Sequence, residues 1–267
     1  MGGKKIRLGL IGKDVSKSDS EKIHKFILRE WGYDCEYARF SVSATEFDSA
    51  MRTLLGDFDG FNVTIPYKRD VIEYLDEMQG DASEYGAVNT VIGETRVGYN
   101  TDGMGFMQML YSAGVEVQGK KVLVLGAGGS GRSTAVALKK SGAKVYLYQR
   151  NREKLLETCA QLGVTPADSA TQGGFDILIN CTGVGMHDSE GRSPVSLSAF
   201  QGAEWAIDLI YVPEKSEFLR LGERAGAKIC NGKAMLFYQA YFADCLFLGK
   251  EPSGKQAEEL YKKYLEE

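Results

Sequence analysis

Apolar positions along this chain follow two alternating rhythms. Runs such as Ile6–Ile11, Cys35–Phe40 and Gly60–Thr64 are short and apolar or alternate with polar residues, and read as strands. Between them, Ser20–Trp31 and Ala44–Leu55 space apolar residues three and four apart, as one face of a helix requires. The same spacing predicts a helix over Lys68–Met78, then short strands at Ala87–Val91 and Arg96–Tyr99. A second series is more regular, with strands at Lys121–Leu125, Lys144–Tyr148, Asp176–Asn180, Ala206–Leu209 and Lys228–Ile229 and helical stretches between. Helix patterns over Ala234–Leu248 and Gln256–Leu265 close the chain. Alternation of this kind predicts an α/β fold with mostly parallel sheets. At about 100–200 residues per domain, the length points to two domains. The expected division is 1–104 and 105–238, with the helices of about 239–267 packing back on the first domain, since chain termini often lie close together.

Composition narrows the field without choosing a function. Of the 267 residues, 43% are apolar and 25% charged, ordinary for a chain with sizeable cores. A net charge of -4 argues against nucleic acid as a partner, because such proteins carry a basic excess. Cys35, Cys159, Cys181, Cys230 and Cys245 are scattered without C-x-x-C spacing, and His24 and His187 are the only histidines. Free thiols in a reducing compartment are expected, rather than disulfides or a metal site. No apolar h-region follows Met1-Gly2-Gly3-Lys4-Lys5, and no charge-free run reaches the ~20 residues of a membrane span. The expected location is cytoplasmic, with no membrane partner.

One motif stands in the setting its chemistry needs. The strand Lys121–Leu125 runs into Gly126-Ala127-Gly128-Gly129-Ser130-Gly131 and then into a helix, which is G-x-G-x-x-G as a strand–turn–helix. Glycines permit the tight turn and the close approach of a pyrophosphate, while the helix N-terminus offers free N–H groups. A Rossmann-type dinucleotide-binding domain is therefore expected, in second place behind a separate substrate domain. About 20 residues on, an Asp or Glu would favour NAD. The strand ends instead in Gln149-Arg150-Asn151-Arg152, two guanidiniums suited to a 2′-phosphate. Arg150 and Arg152 also suit a solvated helix start, but their distance from the glycine loop makes NADP the better reading.

In the first domain, three segments place small polar side chains at strand ends: Asn62-Val63-Thr64-Ile65-Pro66-Tyr67-Lys68, Gly86-Ala87-Val88-Asn89-Thr90 and Asn100-Thr101-Asp102-Gly103. Together they offer a cation, a carboxylate and several amides and hydroxyls, the set a polyhydroxylated small molecule needs. Taken singly, each is as well explained as a turn or a cap.

Taken in order, these segments resemble the signatures of the shikimate dehydrogenase family. N-V-T-x-P-x-K is present at Asn62 to Lys68, G-A-x-N-T at Gly86 to Thr90 and N-T-D-G at Asn100 to Gly103. G-A-G-G-x-x-R follows at Gly126 to Arg132, I-N-x-T-x-x-G-M at Ile179 to Met186, D-x-x-Y-x-P at Asp208 to Pro213 and G-x-x-M-L-x-x-Q-A at Gly232 to Ala240. The resemblance implies NADP-dependent interconversion of 3-dehydroshikimate and shikimate by a monomer or homodimer. It implies that Lys68 and Asp102 form the catalytic pair, and that Ser18, Ser20 and Tyr211 hold the substrate carboxylate. Asn62, Thr64, Asn89 and Gln239 would contact ring hydroxyls or position the pair. Gly126, Ala127, Gly128 and Gly129 would cradle the pyrophosphate, Arg150 the 2′-phosphate, and Thr182, Gly183 and Met235 the nicotinamide end, with Gly232 also contacting the cofactor. No metal is implied. The family's H-S-x-S-P reads here Lys17-Ser18-Asp19-Ser20-Glu21, which keeps both serines and replaces His and Pro. A quinate or dual quinate/shikimate enzyme shares nearly all these residues, and a non-catalytic ligand sensor is the alternative of another class.

Overall fold

The computed structural model describes residues 4–170 and 173–267, so the amino-terminal Met1-Gly2-Gly3, where a leader would begin, lies outside it. The chain forms two compact units. One runs to Gly105 and resumes from Leu236 to Glu267, and the other is Phe106–Met235.

The first unit begins with β1 (Lys4–Gly12), α1 (Ser20–Glu30), β2 (Tyr33–Ser41), α2 (Phe47–Asp57) and β3 (Gly60–Val63). A single 3-10 stretch at Asp70–Tyr74 precedes β4 (Glu77–Met78), α3 (Ala82–Tyr85), β5 (Thr90–Ile92) and β6 (Val97–Tyr99). The sheet order is β2-β1-β3-β5-β6-β4. β1 pairs in parallel with β2 and β3, β5 runs antiparallel to both β3 and β6, and β4 is parallel to β6. α1 buries Ile23, His24, Phe26, Ile27 and Leu28, the stripe its spacing predicts.

After α4 (Asp102–Ser112), the second unit alternates β7 (Lys121–Leu125), α5 (Gly129–Lys140), β8 (Lys144–Tyr148), α6 (Arg152–Leu162), β9 (Thr165–Pro166), β10 (Ile177–Asn180), β11 (Trp205–Asp208), α7 (Glu217–Arg224) and β12 (Lys228–Asn231). Its sheet, β12-β11-β10-β7-β8-β9, is parallel throughout. The central strands are buried along their length at Val122–Leu125 and Ile177–Asn180, as a parallel sheet covered on both faces demands.

α8 (Lys233–Leu248) and α9 (Gly254–Glu266) finish the chain. In the first unit Phe26 of α1 packs edge-on against Phe237 of α8 and Tyr264 of α9, with ring centroids 6.2 and 5.2 Å away. Arg29 and Glu30 of α1 pair with Glu267 and Lys263.

Two expectations fail locally. The helix expected over Lys68–Met78 is a 3-10 turn and a strand, because its backbone groups are claimed from outside. Val88 N–H donates to the Lys68 carbonyl at 2.7 Å, Asp76 N–H to Arg96 and Gln79 N–H to Gly98. The strand expected from Ala87 starts only at Thr90, because α3 ends at Gly86 in the left-handed region (φ 60°) and the chain is still turning.

Candidate active site

The end of β3, the start of β5 and the end of β6 lie at one sheet edge, since Asn62 is opposite Thr90 and Thr90 opposite Tyr99. This register, which residue order alone does not give, gathers the three polar segments. Lys68 Nζ donates to Asp102 Oδ2 at 2.5 Å, and their side chains are 13% and 7% exposed. Asn89 holds the other carboxylate oxygen, its Nδ2 donating to Asp102 Oδ1 at 2.8 Å. The same amide nitrogen lies 3.0 Å from Thr101 Oγ1 and 3.4 Å from Gln239 Oε1. Asn89 Oδ1 in turn accepts from Thr101 N–H and from the Thr90 hydroxyl, both at 2.9 Å. Asn100 fastens the turn before α4, donating to the Ala87 carbonyl and accepting from Asp102 N–H.

Asp102 is thus held from both sides, and it fixes one donor of an ammonium that has three. Asn62 donates to the Asn89 carbonyl and the Thr90 hydroxyl, each at 3.2 Å, but its buried Oδ1 has no partner among the described residues. That leaves an acceptor in place for a hydroxyl. Half-buried Thr64 sits one residue past β3, its N–H donating to Ile11 at 2.9 Å. Such an arrangement can hold a proton donor beside a reacting oxygen while neighbouring amides bind hydroxyl groups.

Ser18 and Ser20 lie in the same unit, at the entry to α1. The Ser18 hydroxyl donates to Ser20 Oγ at 3.0 Å and accepts from Ser20 N–H at 3.2 Å. Glu21, standing where the family has proline, pairs with Lys25 and Arg39, which together hold its carboxyl below the usual range. Arg39 also donates to the Ser16 carbonyl at 2.6 Å, tying the serine loop to β2.

The second unit carries the glycine loop between β7 and α5. Gly126 adopts φ +99°, and a Cβ on Gly131 would sit 2.0 Å from the Gly126 carbonyl oxygen, so both positions need glycine. At Gly128 a Cβ would meet nothing within 4 Å, and no side chain caps α5. Open space thus faces uncapped N–H groups, a fit for a phosphate. Arg150, just past β8, is exposed, whereas Arg152 donates to Asp168 at 2.9 Å and to the Ala167 carbonyl at 3.3 Å. Arg150 is therefore the guanidinium left for a ligand.

Thr182 and Gly183 follow β10, Tyr211 follows β11, and Gly232 and Met235 stand at the start of α8. Thr182 is oriented by Asn180, whose Oδ1 accepts from its N–H at 3.0 Å and its hydroxyl at 2.6 Å. Asn180 donates in turn to buried Asp208, which also accepts from Ser216 and from Ile210 N–H. Burial pushes the Asp208 carboxyl up to about 6, against the pull of these hydrogen bonds. Asn180, Asp208 and Ser216 were not among the expected site residues. Asn180 and Asp208 do stand in the I-N-x-T-x-x-G-M and D-x-x-Y-x-P motifs at strand ends, which could have found them, whereas the only signal at Ser216 is its place as the cap of α7. Among the described residues, no group of three or more His, Cys, Asp or Glu is placed to hold a metal ion, and no helix is long and apolar enough to cross a membrane.

Comparison with known proteins bears on both units. A family profile described as the shikimate dehydrogenase substrate binding domain matches residues 10–91. The shikimate dehydrogenase (NADP(+)) of Shouchella clausii (strain KSM-K16) is 35% identical, over 97% of this chain and 98% of its own. The crystal structure of shikimate 5-dehydrogenase from Thermus thermophilus, in complex with NADP(H) and shikimate, is 30% identical with a TM-score of 0.88, covering 97% of this chain and 99% of its own. A chorismate mutase/shikimate 5-dehydrogenase fusion protein from Clostridium acetobutylicum is 34% identical with a TM-score of 0.90, covering 98% of each chain.

Proposed function

This chain belongs to the shikimate dehydrogenase family, and from that premise we propose that it catalyses the NADP-dependent, reversible reduction of 3-dehydroshikimate to shikimate. The observation that carries the assignment of roles is the 2.5 Å bond between Lys68 Nζ and Asp102 Oδ2, embedded in a hydrogen-bonded network. Reducing a carbonyl leaves negative charge on its oxygen. Lys68 stabilises that charge with a fixed ammonium and delivers a proton to the oxygen; in the oxidative direction its amine takes the proton back. Asp102, steadied by Asn89, aims the lysine. Asn62, Thr64, Asn89 and Gln239 contact ring hydroxyls or position the pair, and Ser18, Ser20 and Tyr211 hold the carboxylate. The residues up to 104 and the returning helices from about 239 act as the substrate domain, and 105–238 as the cofactor domain.

NADP, when bound, supplies or accepts the hydride. Gly126, Ala127, Gly128 and Gly129 would hold its pyrophosphate, Arg150 its 2′-phosphate, and Thr182, Gly183 and Met235 its nicotinamide end, with Gly232 a further cofactor contact. All five cysteines are free, which suits a reducing cytoplasm. A monomer or homodimer working without nucleic acid is sufficient for this chemistry.

The test is an initial-rate assay with shikimate and quinate in parallel, each with NADP and with NAD. Turnover of shikimate with NADP is the expected result. Comparable quinate turnover would move the assignment to a dual enzyme, and silence on both substrates would overturn it.

A further inference from the structure

Beneath the serine loop lies an ionisable pair that the proposed chemistry does not use. His24 Nδ1 and Asp244 Oδ1 are 2.6 Å apart, and both side chains are wholly buried. Tyr37 of β2 stacks on the imidazole with ring centroids 5.3 Å apart, and Phe247 closes another side at 6.3 Å. His24 Nε2 and Asp244 Oδ2 have no partner among the described residues. Burial pushes the Asp244 carboxyl up and the histidine pulls it back.

Stability alone is a poor reason for such a pair, because well-packed apolar side chains hold two helices together equally well or better. What an apolar pair lacks is direction: a short hydrogen bond fixes the register of one helix against another. The two helices joined here both carry proposed substrate contacts. His24 lies one turn after Ser20 on α1, on the same face. Asp244 lies on α8, five residues after Gln239, whose side chain reaches Asn89 and so the Asp102 network.

We propose that His24 and Asp244 are positioning residues for the substrate, setting the distance between the Ser18–Ser20 pair and the Asn89–Asp102–Lys68 network by locking α1 to α8. This inference rests on the shikimate dehydrogenase reading. A carboxylate and a ring hydroxyl of one small rigid molecule must be met together, so a shift of α1 against α8 weakens substrate binding while leaving the proton donor in place.

The test replaces the pair with apolar residues, His24→Phe with Asp244→Leu, and measures melting temperature and steady-state kinetics beside the unaltered protein. The expected result is a melting temperature equal or higher, a KM for shikimate raised at least tenfold, kcat within about threefold, and an unchanged KM for NADP. Asp244→Asn, which keeps the acceptor, should stay within about twofold in every constant. An unmoved KM for shikimate, or equal rises for shikimate and NADP, would overturn the proposal. Should the double variant not fold, Asp244→Glu decides: it keeps the pair but lengthens it, and a rise in the shikimate KM alone supports the lock, whereas no rise overturns it. If the unaltered protein fails to turn over shikimate, the functional reading falls and the inference with it. Turnover with unmoved variants sinks the inference alone.

Discussion

The two six-stranded sheets bring residues to their edges by different routes. In the second unit every strand is parallel, so the loops carrying Gly126, Arg150, Thr182, Tyr211 and Gly232 all leave from carboxyl ends, with Arg150 exposed and Gly126, Thr182 and Tyr211 half-buried. In the first unit β5 runs against its neighbours. That reversal puts the start of one strand beside the ends of two others, so Asn89 can reach Thr101 and Asp102 directly. Parallel pairing yields a row of loops, whereas a local reversal yields a dense, buried side-chain network. One edge suits a long, flexible ligand held through phosphates, and the other suits exact placement of a proton donor.

The sharpest way to break the network is at its cation. Lys68→Ala should lower kcat by about 10²-fold or more while shikimate still binds, because a proton donor is lost and the hydroxyl contacts are not. Steady-state rates with a direct binding measurement check this, and near-normal turnover would remove Lys68 from its role. The backbone-built edge fails differently. Gly131→Ala drives a Cβ into the Gly126 carbonyl, so the loop must open, and KM for NADP should rise by about 30-fold, an overpacking cost of about 2 kcal/mol. Fluorescence titration with NADPH reads it, and the binding of shikimate should not change.

Arg150→Ala removes only a charge-assisted contact. KM for NADP should rise about tenfold, at the low end of ~1.5–3 kcal/mol, with NAD barely affected. An equal effect on both cofactors would make Arg150 structural.

The smallest effect concerns stability. Asp208 holds its proton in the folded chain up to about pH 6, above the 3.8 of an ordinary aspartate. Between these values the folded state binds more protons than the unfolded one, so the stability the group contributes is present below pH 3.8 and lost as pH rises to 6. Asp208→Asn lacks this loss. Its melting temperature relative to the unaltered protein should therefore climb by roughly 3–5 °C between pH 4 and pH 7, read by thermal melts across that range. A flat difference would refute the assignment.

Much of the fold was legible because each β–α alternation writes its own period, and Lys121–Leu125 followed by the glycine loop needed no tertiary information. What escaped was decided by distant partners. Lys68–Met78 has a helical spacing, yet Val88 takes the carbonyl the helix would use. β9 is two residues long, too short to show a period. Lys68, Asn89 and Asp102 could be nominated from strand-end positions, each with a good explanation as a turn, a cap or a solvated helix start until the ordered motifs marked them as a set; the hydrogen bonds that join them depend on the register, which sequence order does not give. His24 reads as one buried residue on an amphipathic helix, and its partner lies 220 positions away.

Arg150 has one more consequence, on the scale of evolution rather than chemistry. It is exposed at the end of β8, while its neighbour Arg152 is committed to Asp168. A residue without structural duties can be exchanged at almost no cost to folding, so with the role proposed for Arg150 cofactor preference is the trait of this chain most open to drift. Asp102 is the opposite case: each of its oxygens is answered by another side chain, and no single substitution there leaves its neighbours satisfied. Lineages descending from this sequence would be free to change their nucleotide long before they could change the carboxylate that aims Lys68.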